Sequence, residues 1–258
     1  MVDHVQSLAR GLAVIRAFSA TSPELTLSDV ARATGLTRAA ARRFLITLAD
    51  LGYVRSDGRL FALTPRVLEL GYAYLSSLSL PEVAAPHLER LAAEVHESAS
   101  VAVLDGEDVT YVARVATARI MRVTISIGTR FPAHCTSMGR VLLAALPAER
   151  LDEFLDGAEL RRLTSRTVTR PAALRAELDR VRARGWAMVD QELEEGLRSI
   201  AAPIRDRTGR TVAAVNVSTH ASRTTVQRAR RELLPPLLAT AGRIEADLAA
   251  QTVTRAER

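Results

Sequence analysis

The stretch TLSDVARATGLTRAAARRFLITLADLGYVRSDGRLFAL, residues 26–63, reads as two short helices followed by a β-hairpin. Thr26 can cap a helix start, and Asp29, three residues on, sits beside the donor-rich first turn. Leu27, Val30 and Ala31 follow at helical spacing, and Gly35 stops the helix. Thr37 is a second cap. It opens a helix whose Ala41, Phe44, Leu45, Leu48 and Leu51 form one apolar stripe, ended by Gly52. Two such helices joined by a tight turn bury little alone, so a third helix must cover them. The usual use of the unit is to lay its second helix in the DNA major groove. The free face of that helix carries Thr37, Arg38, Ala39, Ala40, Arg42 and Arg43, with Arg38 and Arg42 one turn apart. Beyond it, Tyr53-Val54-Arg55 and Leu60-Phe61-Ala62-Leu63 flank Ser56-Asp57-Gly58-Arg59, a strong hairpin signal. Arg55 and Arg59 at the tip of such a wing suit phosphate contact or a narrow minor groove. A small bundle with a solvated arginine face is the bland alternative.

Bulk properties agree without deciding. The chain has 258 residues, 48% hydrophobic and 25% charged, enough for one large domain or two ordinary ones. Its net charge of +6 fits a nucleic-acid partner. Every one of the 35 basic residues is arginine, which discounts each individual arginine as a signal. One cysteine, Cys135, excludes an internal disulfide framework and a multi-cysteine zinc site, and suits a cytoplasmic setting. The start reads as no secretory signal, and no apolar run approaches membrane-spanning length, so no membrane partner is expected.

Outward from the core stretch, Val5, Leu8, Leu12, Ile15 and Phe18 predict the third helix, beginning near Ser7, and Ser19 to Glu24 predict a loop. Thr64-Pro65 opens a linker helix over 65–80 with Leu68, Gly71, Tyr72 and Leu75 on one face. Its uncovered side predicts a homodimer, which suits paired half-sites. The domains expected are a winged helix-turn-helix over 1–64, the linker and dimerisation helix over 65–80, an effector-binding domain over 81–251, and a disordered tail over 252–258. In the second domain, Glu82 to Val95 reads as helix. Ser98–Leu104, Val109–Val115, Ile120–Ile127, Trp186–Asp190, Ile200–Arg205 and Thr211–Ser218 read as strands. Gly128–Thr136 is a loop. Ser137–Leu146 and Pro171–Arg184 are helices, and Thr225–Ala250 is a long helix broken near Pro235-Pro236. The order predicts an α+β protein with helices covering an antiparallel sheet.

Three segments carry a resemblance. They are Gly35-Leu36-Thr37-Arg38 through Leu51-Gly52-Tyr53-Val54 to Leu68-Glu69-Leu70-Gly71; Gly128 to Arg140 (GTRFPAHCTSMGR); and Asp190 to Pro203 (DQELEEGLRSIAAP). The chain resembles IclR-type transcriptional regulators. That implies a winged helix-turn-helix followed by a GAF-like effector-binding domain, and dimers, often paired into tetramers, on a palindromic or repeated double-stranded operator. RNA polymerase is a further partner if the protein activates. The second and third segments, with Asn216-Val217-Ser218-Thr219-His220, are most similar to the branch governing aromatic-acid catabolism through the β-ketoadipate route. A small organic acid is the implied effector, an aromatic acid or a β-ketoadipate-like one. One departure is Ala39-Ala40, where the family often has Ser-Thr. Base readout then rests on Thr37, Arg38, Arg42 and Arg43, and on methyl contacts to thymine.

By position, the resemblance implies that Ser137, Met138 and Gly139 hold the effector at a loop-to-helix turn, with Ser199, Asn216 and Ser218 on facing strands. A helix start favours a carboxylate on physical grounds as well. Asn216 and Ser218, two apart, share a sheet face. Asp190 is a further pocket candidate, with Glu192 behind it. Arg130 and His134 could meet a second carboxylate. No metal is expected, because His134-Cys135 lacks partners at ligand spacing, and no cofactor motif or catalytic residue is assigned. Two other readings stay open. One is an enzyme with a basic appendage, using Cys135 or the Asp190/Glu192 pair, though no elbow, phosphate loop or HExxH motif supports it. The other is a winged-helix protein-interaction module.

Overall fold

The computed structural model describes residues 5–19, 21–70, 80–117 and 125–256, with side chains to residue 250. The chain divides into two units, Met1–Ser77 and Leu78–Arg258. The first is built from α1 (Gln6–Arg16), β1 (Glu24–Thr26), α2 (Leu27–Thr34), α3 (Arg38–Asp50), β2 (Val54–Ser56) and β3 (Leu60–Leu63), and a 3-10 turn over Pro65–Val67. Thr26 and Asp29 form a reciprocal capping box on α2. Gly35 ends that helix at φ 67°, a left-handed turn that a side chain would strain. Thr37 caps α3 through the Ala40 N–H. Val14, Phe18, Val30, Ala31, Ala41, Leu45, Leu48 and Val54 make the core.

Two expectations change here. The loop into Leu27 holds β1, which adds an antiparallel edge to β3, giving the order β1-β3-β2. The apolar stripe of α1 splits. Phe18 is buried and Ile15 half-buried, but Val5, Leu8 and Leu12 are 63%, 64% and 48% exposed, and Val14 takes the central core place. Most of the expected linker helix, including Gly71, Tyr72 and Leu75, lies outside the described residues. Leu68 and Leu70, at its start, are exposed.

The second unit is a six-stranded antiparallel sheet in the order β6-β5-β4-β9-β8-β7. The strands are β4 (Ser98–Asp105), β5 (Asp108–Val115), β6 (Arg130–Pro132), β7 (Ala187–Asp190), β8 (Leu197–Arg205) and β9 (Thr211–His220). One face is covered by α4 (Leu80–Val95) and α9 (Leu234–Ala256), with α8 (Val226–Glu232) beside them. His87 Nε2 and Asp247 Oδ2, 2.8 Å apart, tie α4 to α9. The other face carries α5 (Ser137–Ala144), with α6 (Ala148–Gly157) and α7 (Pro171–Arg184) packed outside it.

The antiparallel α+β class stands as expected, with local differences. Residues 147–170 carry no element in the sequence reading, yet α6 forms there on Leu151 and Leu155. The loop over 128–136 contains β6, which pairs with β5, and a 3-10 turn, because Arg130 to Pro132 can satisfy their backbone groups on that edge. The expected strand over 120–127 lies mostly outside the described residues, and its end, Ile125 to Ile127, is not strand. The last helix runs to Ala256, through most of the expected tail, since extending an established helix costs little per residue. A bulge in the β4–β5 pairing at Val101/Ala102 shifts the alternation of β5. Val112 and Ala113 both join the α4/α9 core, while Tyr111 turns to the α5 side.

Candidate DNA-reading surface and effector pocket

Helix α3 presents Thr37, Arg38, Ala39, Arg42 and Arg43 to solvent, with Ala40 half-buried. None of these three arginines has an ion-pair partner among the described residues, so their guanidinium groups are open to a polyanion. Thr37 Oγ1 accepts from the Ala40 N–H at 3.2 Å, which leaves its hydroxyl hydrogen free to donate. The hairpin tip is set by side chains. Asp57 Oδ1 accepts from the Arg59 and Leu60 N–H groups, and Ser56 Oγ accepts from Gly58 N–H. Those bonds hold the Asp57 carboxyl below its ordinary value. Arg59 is exposed at the tip. Arg55 is exposed too and is paired with Glu24 of β1 at 3.2 Å.

In the second unit, the N-terminus of α5 faces the sheet. Thr136 caps it through the Gly139 N–H at 3.1 Å. Ser137, Thr136 and Cys135 on this side, and Ser199, Asn216 and Ser218 on the sheet, line a small cavity completed by Tyr111, Ile125, Val189, Leu193 and Leu197. The free space is about 10 Å³, room for about one water. An acid of aromatic size needs a site of about 300 Å³ or more, so it would have to part the lining. The polar atoms here are short of partners. Asn216 Nδ2 donates to Ser218 Oγ at 3.2 Å, while Asn216 Oδ1 and Ser137 Oγ are buried with no hydrogen-bond partner among the described residues. Such orphans cost free energy unless something pairs with them. Burial against this wall pushes the Tyr111 phenol up to about 12, and its ring meets Phe131 edge-on at 5.7 Å.

Four of the seven expected pocket residues, Ser137, Ser199, Asn216 and Ser218, therefore come together. Three do not line the cavity. Met138 is buried in the core below α5. Gly139 is where the helix meets the 3-10 turn so closely that any Cβ would overlap the Ala133 backbone. Asp190 is held by Arg166 and Arg198, each at 2.7 Å. Glu192 is buried and joined to Arg140 at 2.6 Å, and its carboxylate also accepts from the Val168 N–H. This buried pair pins the loop that carries Leu193. Arg130 is bound to Asp105 and Asp108 on the exposed β4–β5 turn, away from the cavity. His134 is buried with its Nε2 on the Arg161 carbonyl, and burial lowers its pKa, so it is not a cation for the ligand. Burial pushes the Cys135 thiol up to about 12, which removes it as a nucleophile. Sequence reasoning missed Tyr111, whose inward turn follows from the bulge, and the apolar contributions of Val189, Leu193 and Leu197.

A larger open cleft of about 330 Å³ lies at the far end of α5, lined by Val141, Ala144, Val181 and the β8–β9 turn. It faces helix C-termini, which disfavour anions. Its arginines are occupied: Arg182 by the Ala144 carbonyl, Arg205 by Glu245 and Arg210 by Asp206.

A family model described as the IclR helix-turn-helix domain matches residues 7–58, and one described as the bacterial transcriptional regulator IclR C-terminal matches residues 72–246. The chain belongs to the IclR family of bacterial transcriptional regulators. It is 51% identical to the Pca regulon regulatory protein of Pseudomonas putida, over 92% of this chain and 82% of that one. It is 38% identical to the p-hydroxybenzoate hydroxylase transcriptional activator of Acinetobacter baylyi, over 94% of this chain and 91% of that one. The solved structure of an IclR homolog complexed with 4-hydroxybenzoate, from Microbacterium hydrocarbonoxydans, superposes with a TM-score of 0.84 at 30% identity, covering 95% of this chain and all of that one. These IclR-family relatives are regulators, not enzymes.

Proposed function

We propose that this IclR-family regulator recognises its operator through Arg38, Arg42 and Arg43 of α3, with Thr37, Ala39 and Ala40 against the base edges and Arg59 of the wing on the backbone, and that a small organic acid modulates that binding. An aromatic acid or a β-ketoadipate-like one fits best. The observation that carries the effector half is the pair of unpartnered polar atoms, Ser137 Oγ and Asn216 Oδ1, buried in one cavity at a helix N-terminus. The relatives named for the Pca regulon and for p-hydroxybenzoate hydroxylase, and the 4-hydroxybenzoate complex, support the same chemistry. Val5, Leu8 and Leu12 form an exposed apolar strip on α1, which supports a second copy of this chain as its cover. A dimer, or a dimer of dimers, then reads two half-sites. Whether RNA polymerase is contacted depends on the sign of regulation. A cytoplasmic setting suits a DNA partner. Among the described residues no helix is long and apolar enough to cross a membrane.

The test is fluorescence anisotropy with the chain's upstream intergenic DNA, with and without protocatechuate, 4-hydroxybenzoate or β-ketoadipate. Specific binding that weakens steeply with salt and shifts with one of these acids is expected. No binding at low salt under any of these conditions overturns the reading.

A further inference from the structure

Along the cavity side of the sheet, one row of residues crosses three strands. Arg114 of β5 stands opposite Ser100 of β4, which stands opposite Asn216 of β9. Arg114 follows Ala113, and Asn216 lies between Val215 and Val217, all three in the core on the other face. Alternation therefore turns Arg114 and Asn216 to the side of α5. The Arg114 guanidinium reaches over Ser100, donating from Nη1 to Ser100 Oγ at 3.4 Å. That puts it beside the residue whose amide has one end on Ser218 and the other end unpaired.

Arg114 Nε is itself buried with no hydrogen-bond partner, and among the described residues no carboxylate pairs with Arg114. Residues 118–124, which follow β5, contain no Asp or Glu. Burial lowers the pKa of this guanidinium, the direction expected for a cation drawn out of water without a counter-ion. Arg140, Arg166 and Arg198 in the same unit each hold a carboxylate. Arg114 is a half-buried cation with an enclosed Nε, one strand beyond the Ser100 that separates it from the cavity-lining Asn216, and it lacks a carboxylate among the described residues.

We infer that Arg114 is the group that receives the effector's carboxylate, while Ser137 and the free end of the Asn216 amide take its hydroxyl or second polar group. This rests on the effector reading above and deepens it. A guanidinium fork binds a carboxylate through two parallel hydrogen bonds, and Arg114 Nε is one of the donors left open for that. The effector's charge then supplies what the fold withholds, so ligand binding and relief of an unpaired charge are one event. The signal was present in the sequence as a lone arginine in the run Val109-Thr110-Tyr111-Val112-Ala113-Arg114-Val115.

The test uses the full-length chain in titration calorimetry with protocatechuate, 4-hydroxybenzoate and β-ketoadipate, and with 3,4-dihydroxybenzamide and 4-hydroxybenzamide as neutral counterparts. The wild type should bind at least one acid, and an aromatic acid more tightly than its amide. Arg114→Met should weaken the acid by roughly 30-fold or more and leave the amide nearly unchanged, so that the preference collapses. Without ligand, Arg114→Met should melt at a higher temperature than the wild type, because a half-buried charge with an unpaired Nε is gone; a purely structural arginine would move the melting temperature down. If Arg114→Met keeps the acid affinity, the assignment is wrong while the effector reading stands. If the wild type binds none of the acids, both fall. Should Arg114→Met not fold, Arg114→Gln is read the same way, and failure of both variants to fold overturns the assignment.

Discussion

At the scale of single residues, the two units put side chains to opposite uses. Arg38 stands free in solvent at the first turn of α3, the part of a recognition helix that enters the groove. Arg38→Ala should cost about 1–3 kcal/mol of operator affinity and relax selectivity at one base position, measured by binding to a panel of singly substituted operators. An equal loss across the panel would mark a phosphate contact instead. Gly139, by contrast, is a matter of space. Gly139→Ala forces α5 off the Ala133 backbone and should lower stability by about 1–3 kcal/mol in chemical denaturation, with no gain of ligand affinity.

Elements are held by a few well-placed pairs. The buried Arg140–Glu192 pair joins α5 to the loop before β8. Glu192→Ala leaves a buried guanidinium without its carboxylate and should destabilise by about 3–5 kcal/mol, whereas replacing both partners with apolar residues of similar volume should recover most of the loss in the same denaturation assay. In the first unit, the Thr26 hydroxyl and backbone N–H hold the Asp29 carboxyl below the usual carboxylate range, and the Leu60 and Arg59 N–H groups do the same for Asp57. A carboxyl whose folded value is depressed contributes stability that is present above its ordinary value and lost as pH falls through the folded one. Melting curves taken below about pH 4 should therefore show winged-helix destabilisation that Asp57→Asn reduces.

For the whole molecule, the proposed dimer rests on the exposed apolar strip of α1. If the proposed dimer forms through this strip, Leu8→Glu should convert it to monomers in sedimentation velocity, with the far-ultraviolet dichroism unchanged, because the site is 64% exposed in the single chain. If a folded monomer is already present in the wild type, the strip has another purpose. Operator affinity should fall steeply with salt, and Arg59→Ala should flatten that slope by about one phosphate contact per copy.

Much was legible in the amino-acid order alone: the two N-caps, the left-handed stop at Gly35, the Asp-Gly wing, the helix beginning after Thr136 and the antiparallel class. These signals act over a few residues, through a hydroxyl on a nearby N–H or an apolar face at helical spacing. The packed fold alone decided which groups meet. Tyr111 turned inward because of a one-residue bulge, Glu192 found Arg140 rather than a ligand, Arg55 found Glu24, and Arg114, in one row with Ser100 and Asn216, has no counter-charge among the described residues. Pairing and desolvation depend on neighbours far apart in the chain, and no local pattern of residue types encodes them.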